Sequence, residues 1–318
     1  MLPVIIPLLG LSSCLPEDPD DCCYNVRLEY RYRRAETPGG NVLGYYVDSL
    51  REYVFDAHDV LRAINDYRIP TGGGAFFSEQ NLEPGLYTVV AFGNKGAYEQ
   101  TGEEVVNITT RQDLRISTEG NSGRLYYGFR SFEVGRYGTS RIAVDMTHAH
   151  CVLGITARWV DDTGHPAAGK QYTLNLRQAP ALYRFTPEFL VYNESDEAVF
   201  APEKESYPLR DSRRINYIPA IDSVAYADLS VRGTTSGKTL HGEFITLRYR
   251  SDSHVLLSIR SAGEQVMKEI DLYRFFREMG IHLDYSLRQE DQLSITINGD
   301  RVSVGMVSVN DWDEGGVL

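Results

Sequence analysis

The sequence predicts an all-β protein, built as two β-sandwich domains in tandem with a short helix near the carboxyl terminus. Apolar and polar residues alternate along most of the chain, and a period of two is typical of half-buried strands. The 28 glycines and 21 tyrosines among 318 residues suit many short strands that are joined by turns. This length is sufficient for two domains that each bury a core of their own.

The charge balance of the chain disfavours anionic binding partners. The chain has 32 Lys and Arg against 44 Asp and Glu, a net charge of −12. No basic stripe offsets this excess, and a negative field repels both nucleic acid and anionic lipid. We therefore expect no nucleic-acid partner.

The amino terminus predicts a signal peptide over residues 1–13 and a lipid-modified cysteine. Leu2 to Leu11 is apolar but too short to span a bilayer, and Leu11-Ser12-Ser13-Cys14 has the form of a bacterial lipobox. Cys14 is the predicted lipidation site, and several acyl chains hold a protein to a membrane durably. Because Met1-Leu2-Pro3 contains no Lys or Arg, we expect the true translation start to lie upstream. The alternative is a soluble protein with an apolar amino terminus.

Residues 14–22 are predicted to be a lipidated tether. Leu15 to Asp21 is acidic and interrupted by prolines, so it favours neither a helix nor a core position. The stretch resembles the export signal that Bacteroidetes lipoproteins carry after the modified cysteine. We therefore expect the protein at the outer membrane, anchored by lipid and exposed at the cell surface.

Residues 23–147 are the predicted amino-terminal sandwich. Its first strand covers Tyr24 to Tyr32, where apolar residues alternate with Asn25, Arg27, Glu29 and Arg31. A second strand, Leu86 to Phe92, follows the turn Glu83-Pro84-Gly85, and a third contains Leu125, Tyr127 and Phe129.

Residues 148–318 are the predicted carboxyl-terminal sandwich, because the chain changes domain near Asp145 to His150. One strand has the apolar face Cys151, Leu153, Ile155, Ala157 and Trp159. The same alternation predicts three further strands, which contain Tyr172, Leu174 and Leu176; Ile245, Leu247 and Tyr249; and Val255, Leu257 and Ile259.

The end of the chain predicts a helix and then a hairpin. Leu272, Phe275, Phe276 and Met279 have helical spacing, with Asp271 placed to cap the helix and Gly280 to end it. Asn298-Gly299 is a strong hairpin signal between two alternating segments. The segment Val302 to Val309 is therefore expected to be the return strand.

The search for catalytic or metal-binding residues predicts neither. His148 and His150 lie two residues apart, but no third ligand is close in sequence, so solvated polar positions are favoured. The acidic clusters Asp18, Asp20, Asp21 and Asp311, Asp313, Glu314 lack the EF-hand pattern and are expected to be solvated loops. With Cys14 lipidated, only Cys22, Cys23 and Cys151 remain, which predicts no disulfide framework. No cofactor motif occurs, and an enzyme is not expected.

Together, several segments resemble the Bacteroidales fimbrium anchoring subunits of the FimB and Mfa type. The resemblance covers nearly the whole chain after Cys14 and is carried by the order of its motifs. It implies two transthyretin-like β-sandwiches, surface lipoprotein status, and a role in attaching fimbriae to the outer membrane and limiting their length. The segments are the lipobox, the acidic tether, the strand Cys23 to Tyr30, the segment Leu82 to Gly93, and Ile270-Asp271-Leu272-Tyr273.

The resemblance also raises the question of whether this subunit loses its first strand. Fimbrial subunits of this superfamily polymerise after a protease cuts behind an Arg and the first strand leaves. Here no Arg lies between Cys14 and the first strand, Arg27 and Arg31 lie inside it, and Arg33-Arg34 follows it. A paired strand is a poor protease substrate, so we expect this subunit to retain its lipid and its first strand.

Two surfaces are candidates for contact with the fimbrial stalk subunit, the expected partner. One is the segment Val302 to Val309 donated as a strand, and the other is an unpaired edge of the second sandwich. Two alternatives to the anchor remain. One is a glycan-capturing surface lipoprotein with exposed aromatic platforms, and the other is a tip or accessory adhesin of the same pilus.

Overall fold

Strands make up most of the regular structure, as the alternating sequence predicts. The computed structural model describes residues 24–32, 40–72, 74–98, 108–118, 121, 123–160, 166–167, 169–192, 198–201, 215–221, 226–250, 253–281, 283 and 289–307. In the first half the strands are β1 Val26–Arg31, β2 Ser49–Asp56, β3 Leu61–Arg68, β4 Phe76–Gln80, β5 Gly85–Gly93, β6 Arg115–Ser117, β7 Tyr126–Val134 and β8 Ser140–His148.

The second half has thirteen described strands and the longer helix. The strands are β9 His150–Trp159, β10 Tyr172–Pro180, β11 Leu182–Tyr192, β12 Ala198–Ala201, β13 Ile215–Ile221, β14 Tyr226–Arg232, β15 Thr234–Ser236, β16 Thr239–Leu247, β17 Leu256–Ser261, β18 Glu264–Gln265, β19 Ile270–Asp271, β20 Gln289–Asn298 and β21 Arg301–Met306. The helices are α1 Leu43–Tyr46 and α2 Leu272–Glu278, with 3-10 turns at Lys95–Tyr98 and Arg111–Asp113.

The first half forms one seven-stranded sheet in the order β3-β2-β5-β7-β8-β1-β4. Neighbours in this sheet are antiparallel, except that β1 runs parallel to β8. The sheet curls on itself, because Tyr30 on β1 reaches Glu52 on β2 from the other end of the strand order. The curl encloses a core to which β1 contributes Val26, Leu28 and Tyr30.

The second half packs two sheets face to face. One has the order β15-β16-β9-β20-β21, and the other has β14-β10-β17-β18 with β19 beside β17. Their shared core includes Trp159, Leu174, Ile259 and Phe276. The two sheets come so close that a Cβ on Gly242 of β16 would lie 2.3 Å from Leu174 of β10, which explains the glycine there.

A third core joins the two halves. It combines Phe55, Phe92 and Tyr127 of the first half with Tyr183 and Leu247 of the second. The short strand β6 belongs to the first half of the chain but pairs with β11 of the second half. Together with β12 and β13 they form a four-stranded sheet. The halves are therefore connected by packing and by shared strands as well as by the chain.

The local predictions for the helix and the hairpin are largely confirmed. The Asp271 side chain accepts from the Arg274 backbone N–H at the start of α2, and Gly280 follows the helix with a φ of +73°. Met279 does not belong to the buried face, since 49% of it is exposed beyond the last turn. β20 and β21 form the hairpin at Asn298-Gly299, where Asn298 pairs with Arg301 and Gly299 has a φ of +59°.

Candidate functional site

The first strand lies between two neighbours of its own chain. β1 pairs antiparallel with β4 from Val26 opposite Gln80 to Tyr30 opposite Phe76. On its other edge it pairs parallel with β8 over its whole length. Because both edges are paired, the backbone polar groups of β1 are satisfied from two sides. The strand predicted over Tyr24 to Tyr32 is therefore confirmed, with the narrower bounds Val26–Arg31.

The inward side chains of β1 are completely buried. Val26, Leu28 and Tyr30 have no exposed surface, and Tyr32 just beyond the strand is 3% exposed. Full burial of one such apolar side chain is worth about 1.5–3 kcal/mol, so three or four of them hold the strand firmly.

The outward side chains of β1 form a charged strip. Arg27 lies 3.5 Å from Glu79 of β4, and its guanidinium is 4.0 Å from the ring centre of Phe77. Arg31 pairs with Glu29 on the same strand. Both arginines therefore lie inside paired backbone, as expected.

A buried carboxylate lies beneath the strand. Glu52 of β2 has no exposed surface and accepts hydrogen bonds from Tyr30 of β1, Asn65 of β3, and Ser78 and Gln80 of β4. Burial raises the pKa of Glu52, although these donors oppose the rise. Burial, and then the charge of Glu52, raises the pKa of Tyr30 well above its ordinary value. The network thus joins β1 to three other strands.

Two asparagines close the ends of the strand, and the sequence does not predict either of these contacts. Asn25 donates to the Leu82 carbonyl at 2.6 Å and accepts from the Leu82 N–H at 2.9 Å. Asn41 donates to the Tyr30 carbonyl at 2.9 Å and accepts from the Tyr32 N–H at 3.0 Å. Asn25 has the pattern of an outward residue of a strand and Asn41 follows a Gly-rich turn, so the sequence held no signal for these bonds.

Several predicted positions lie outside the described residues. They include the lipidation site Cys14, the tether over residues 14–22, and the cleavage candidates Arg33 and Arg34. The carboxyl-terminal tail from 308 onward also lies outside, so Val307 is the last described residue of the predicted return strand. The acidic clusters at Asp18, Asp20, Asp21 and at Asp311, Asp313, Glu314 are in the same position.

The expectation that His148 and His150 are solvated is wrong. His148 is 1% exposed and His150 is completely buried, and their rings stack with centres 4.6 Å apart. They lie where β8 ends and β9 begins, and both rings pack against the buried Tyr126. His150 donates from Nδ1 to the Leu125 carbonyl at 2.7 Å, and His148 Nε2 contacts the Tyr32 hydroxyl.

A third possible ligand does lie beside the two histidines. Glu290 on β20 places Oε1 at 3.8 Å from His148 Nδ1 and 3.7 Å from His150 Nε2. The sequence could not indicate this residue, because only the parallel pairing of β20 with β9 brings it there. Burial lowers the pKa of His150, so its ring is neutral near neutral pH.

The junction is held by hydrogen bonds across the third core. The Tyr183 hydroxyl donates to the Ala149 carbonyl and accepts from the Arg248 N–H, the latter at 2.6 Å. Arg248 is 2% exposed, and its guanidinium donates to the His148 carbonyl at 3.2 Å. The linker between β8 and β9 is therefore fixed from both sides.

Across the described part of the chain, none of the helices has the length and apolar character needed to cross a membrane.

Solved structures with a similar fold come from Porphyromonas and Bacteroides species. The fimbrial anchor protein Mfa2 from Porphyromonas gingivalis is 16% identical with a TM-score of 0.57, and the match covers 90% of this chain and 98% of that one. A candidate adhesin from Bacteroides ovatus is 18% identical with a TM-score of 0.58, over 91% and 94% of the two chains. A candidate polysaccharide-binding protein from Bacteroides thetaiotaomicron is 13% identical with a TM-score of 0.57, over 89% and 98%.

At such low identity these likenesses show the fold alone, and no curated protein matches the chain. The family profile is more informative, because it matches residues 19–315, nearly the whole chain. The chain belongs to the family described as fimbrillin-A associated anchor proteins Mfa1 and Mfa2, and its role is a fimbrial one.

Proposed function

We propose that this protein is a surface lipoprotein that anchors fimbriae to the outer membrane through Cys14 and limits their length. The observation that carries the proposal is the first strand, which is paired on both edges and buried along one face. Membership of the anchor-protein family supports it. The protein acts by binding and holding, without catalysis.

A retained first strand explains how an anchor differs from a polymerising subunit. A subunit accepts a donated strand only where a groove is open, and here β1 fills the space between β4 and β8. An incoming strand would have to displace the burial of Val26, Leu28 and Tyr30 together with the Glu52 network. The anchor therefore does not accept a strand at this position, and the fimbria ends there.

Retention of β1 also keeps the body of the protein attached to its lipid. The chain from Cys14 to Val26 is a dozen residues, which span at most about 40 Å when fully extended. The folded body is thereby held close to the outer membrane. Cleavage after Arg33 or Arg34 would release the folded body from the lipid.

The contact with the first stalk subunit has two candidate surfaces. In the described residues β21 is the last strand of its sheet and pairs with β20 alone, so its other edge is available for strand addition. The alternative is donation of the segment Val302 to Val309 as a strand. We favour the edge, because the hairpin already satisfies β21 on its inner side. Removal of Trp312 to Leu318 is then expected to leave fimbrial attachment unchanged.

The glycan-capturing alternative has less support. It requires exposed aromatic rings in a group, whereas eight tyrosines of the described residues are buried, among them Tyr53, Tyr126, Tyr172 and Tyr183. The tip or accessory adhesin shares the fold, and it is distinguished from an anchor by loss of the lipid and the first strand.

The division into sandwiches 23–147 and 148–318 remains part of the proposal. The change from β8 to β9 at residue 149 fits it, while the pairing of β6 with β11 links the two parts.

Replacement of the lipidated cysteine tests the anchor function. We expect a Cys14→Ser strain to release its fimbriae into the medium, whereas the matched variant Cys22→Ser, which changes a cysteine outside the lipobox, keeps them on the cells. Immunoblots of cell and medium fractions for the stalk subunit, with electron microscopy of fimbrial length, give the result. Cell-bound fimbriae of normal length in the Cys14→Ser strain would overturn the proposal.

A further inference from the structure

We propose that His148, His150 and Glu290 form a binding site for a transition-metal ion, with zinc as the ion that best suits the ligands. The site goes beyond the proposed anchoring function and does not depend on it. It lies where β8, β9 and β20 meet, at the junction of the two halves.

The three ligand atoms lie close enough together to hold one metal ion after the side chains move toward it. His148 Nδ1, His150 Nε2 and Glu290 Oε1 all lie within 4.8 Å of one another, and the two contacts with Glu290 are 3.8 and 3.7 Å. Ligand atoms of a tetrahedral zinc lie about 3.4 Å apart, since each bond is about 2.0–2.1 Å. Two imidazoles and one carboxylate are a common zinc ligand set, with water in the fourth position.

The surroundings of His150 select the tautomer that a metal requires. A carbonyl oxygen only accepts, so His150 Nδ1 must carry the proton that it donates to Leu125. The lone pair of the neutral ring is then on Nε2, the atom that faces Glu290. Metal-binding histidines commonly donate their other N–H to a backbone carbonyl in this way.

Tyr32 contacts the ring nitrogen of His148 that faces away from Glu290, as the Leu125 carbonyl does for His150. Its hydroxyl contacts His148 Nε2, and the two rings stack with centres 5.6 Å apart. When Nε2–H donates to this hydroxyl, Nδ1 carries the lone pair toward Glu290. Tyr32 immediately follows β1, so the metal site would depend on the first strand for its orientation.

Arg124 is the competing cation at this site. Its Nε lies 3.8 Å from Glu290 Oε1, so these two groups also form a partly exposed charge pair without any ion. The side chain of Arg124 is 25% exposed and that of Glu290 is 16% exposed, which provides both an entry path and room for the guanidinium to turn toward water. A bound ion would stabilise the junction by joining three strands at one point.

Zinc titration of the full chain tests the proposal. After chelator treatment and buffer exchange, we expect isothermal titration calorimetry with ZnCl₂ to show one equivalent bound and thermal unfolding to shift upward. Glu290→Gln keeps the size and polarity of a partly exposed side chain, so this variant should fold. It should lose more than about tenfold in affinity, because even outer-shell changes cost metal sites about 10–100-fold.

His241→Gln is the matched control, because His241 is an exposed histidine on β16. We expect it to bind zinc like the unchanged protein. X-ray absorption at the zinc edge is measured on the unchanged protein, so its result does not depend on whether a variant folds. It should show two imidazole ligands at about 2.0–2.1 Å. The proposal is overturned by absence of stoichiometric binding, by equal affinity in Glu290→Gln, or by a coordination shell without imidazole.

Discussion

Glu52 shows how a single residue can connect several strands. A carboxylate with no exposed surface is costly unless donors surround it, and here the donors come from β1, β3 and β4. In the sequence Glu52 stands between Arg51 and Tyr53 and looks like an ordinary outward residue of a strand. The curl of the sheet buries it, and alternation along one strand does not predict that curl.

The raised pKa of Glu52 predicts a specific pH dependence of stability. A carboxyl whose pKa is higher in the folded than in the unfolded protein binds more protons when folded, so the free energy of unfolding falls as pH rises. The fall begins near the ordinary value of 4.5 and continues through the folded pKa. Tyr30 and Tyr67, which face Glu52, have raised pKa values and stay neutral in this range.

Urea unfolding from pH 4 to pH 8 measures this effect. Glu52→Gln cannot lose a proton, so its free energy of unfolding relative to that of the unchanged protein should increase with pH. Glu133→Gln removes an exposed carboxyl on β7 and should run parallel to the unchanged protein. Parallel profiles for Glu52→Gln would show that Glu52 does not titrate as inferred.

His148 and His150 mark the limit of residue-level prediction. Their spacing correctly placed both side chains together, since the rings stack. Their burial and the approach of Glu290 depend on β20, which follows much later in the chain and pairs with β9. Contacts of this kind follow from topology, which local sequence does not encode.

At the scale of secondary-structure elements, the alternating pattern predicted which segments form strands better than it predicted which strands pair with each other. The first strand, the strand after Glu83-Pro84-Gly85, the capped helix and the Asn298-Gly299 hairpin all form as expected. In β16 both Phe244 and Leu247 are buried while Ile245 is only half-buried, because apolar residues occupy both faces of that strand. The parallel pairing of β1 with β8 had no local signal at all.

The double pairing of β1 predicts protection from proteases. Trypsin requires an extended, unpaired backbone, so Arg27 and Arg31 should be cut in the native protein only after local unfolding. Arg136 lies in the exposed loop between β7 and β8 and should be cut first, at a rate at least about tenfold higher. Timed digestion with mass spectrometry of the fragments measures each site.

Digestion in urea is the control for the sequence preference of the enzyme. The three sites should then be cut at similar rates, because pairing no longer protects any of them. Early native cleavage at Arg27 or Arg31 would contradict a stably held first strand.

At the scale of the whole molecule, the two halves form a connected unit. Phe92 and Tyr127 pack in the same core as Tyr183 and Leu247, and β6 pairs with β11. The sequence predicted the all-β class, because that class follows from alternation, while the domain boundary near Asp145 to His150 stays a prediction. It did not predict the shared core or the pairing of β6 with β11, since both depend on how the two halves pack together.

An anchor must keep both its lipid and its first strand in the mature protein. Mass spectrometry of the amino-terminal peptide from outer-membrane fractions measures both at once. We expect an acylated peptide that begins at Cys14 and is continuous through Arg34. A nonlipidated terminus at Ala35 would contradict this expectation, because the first strand would then be discarded and the protein would be a polymerising or tip subunit.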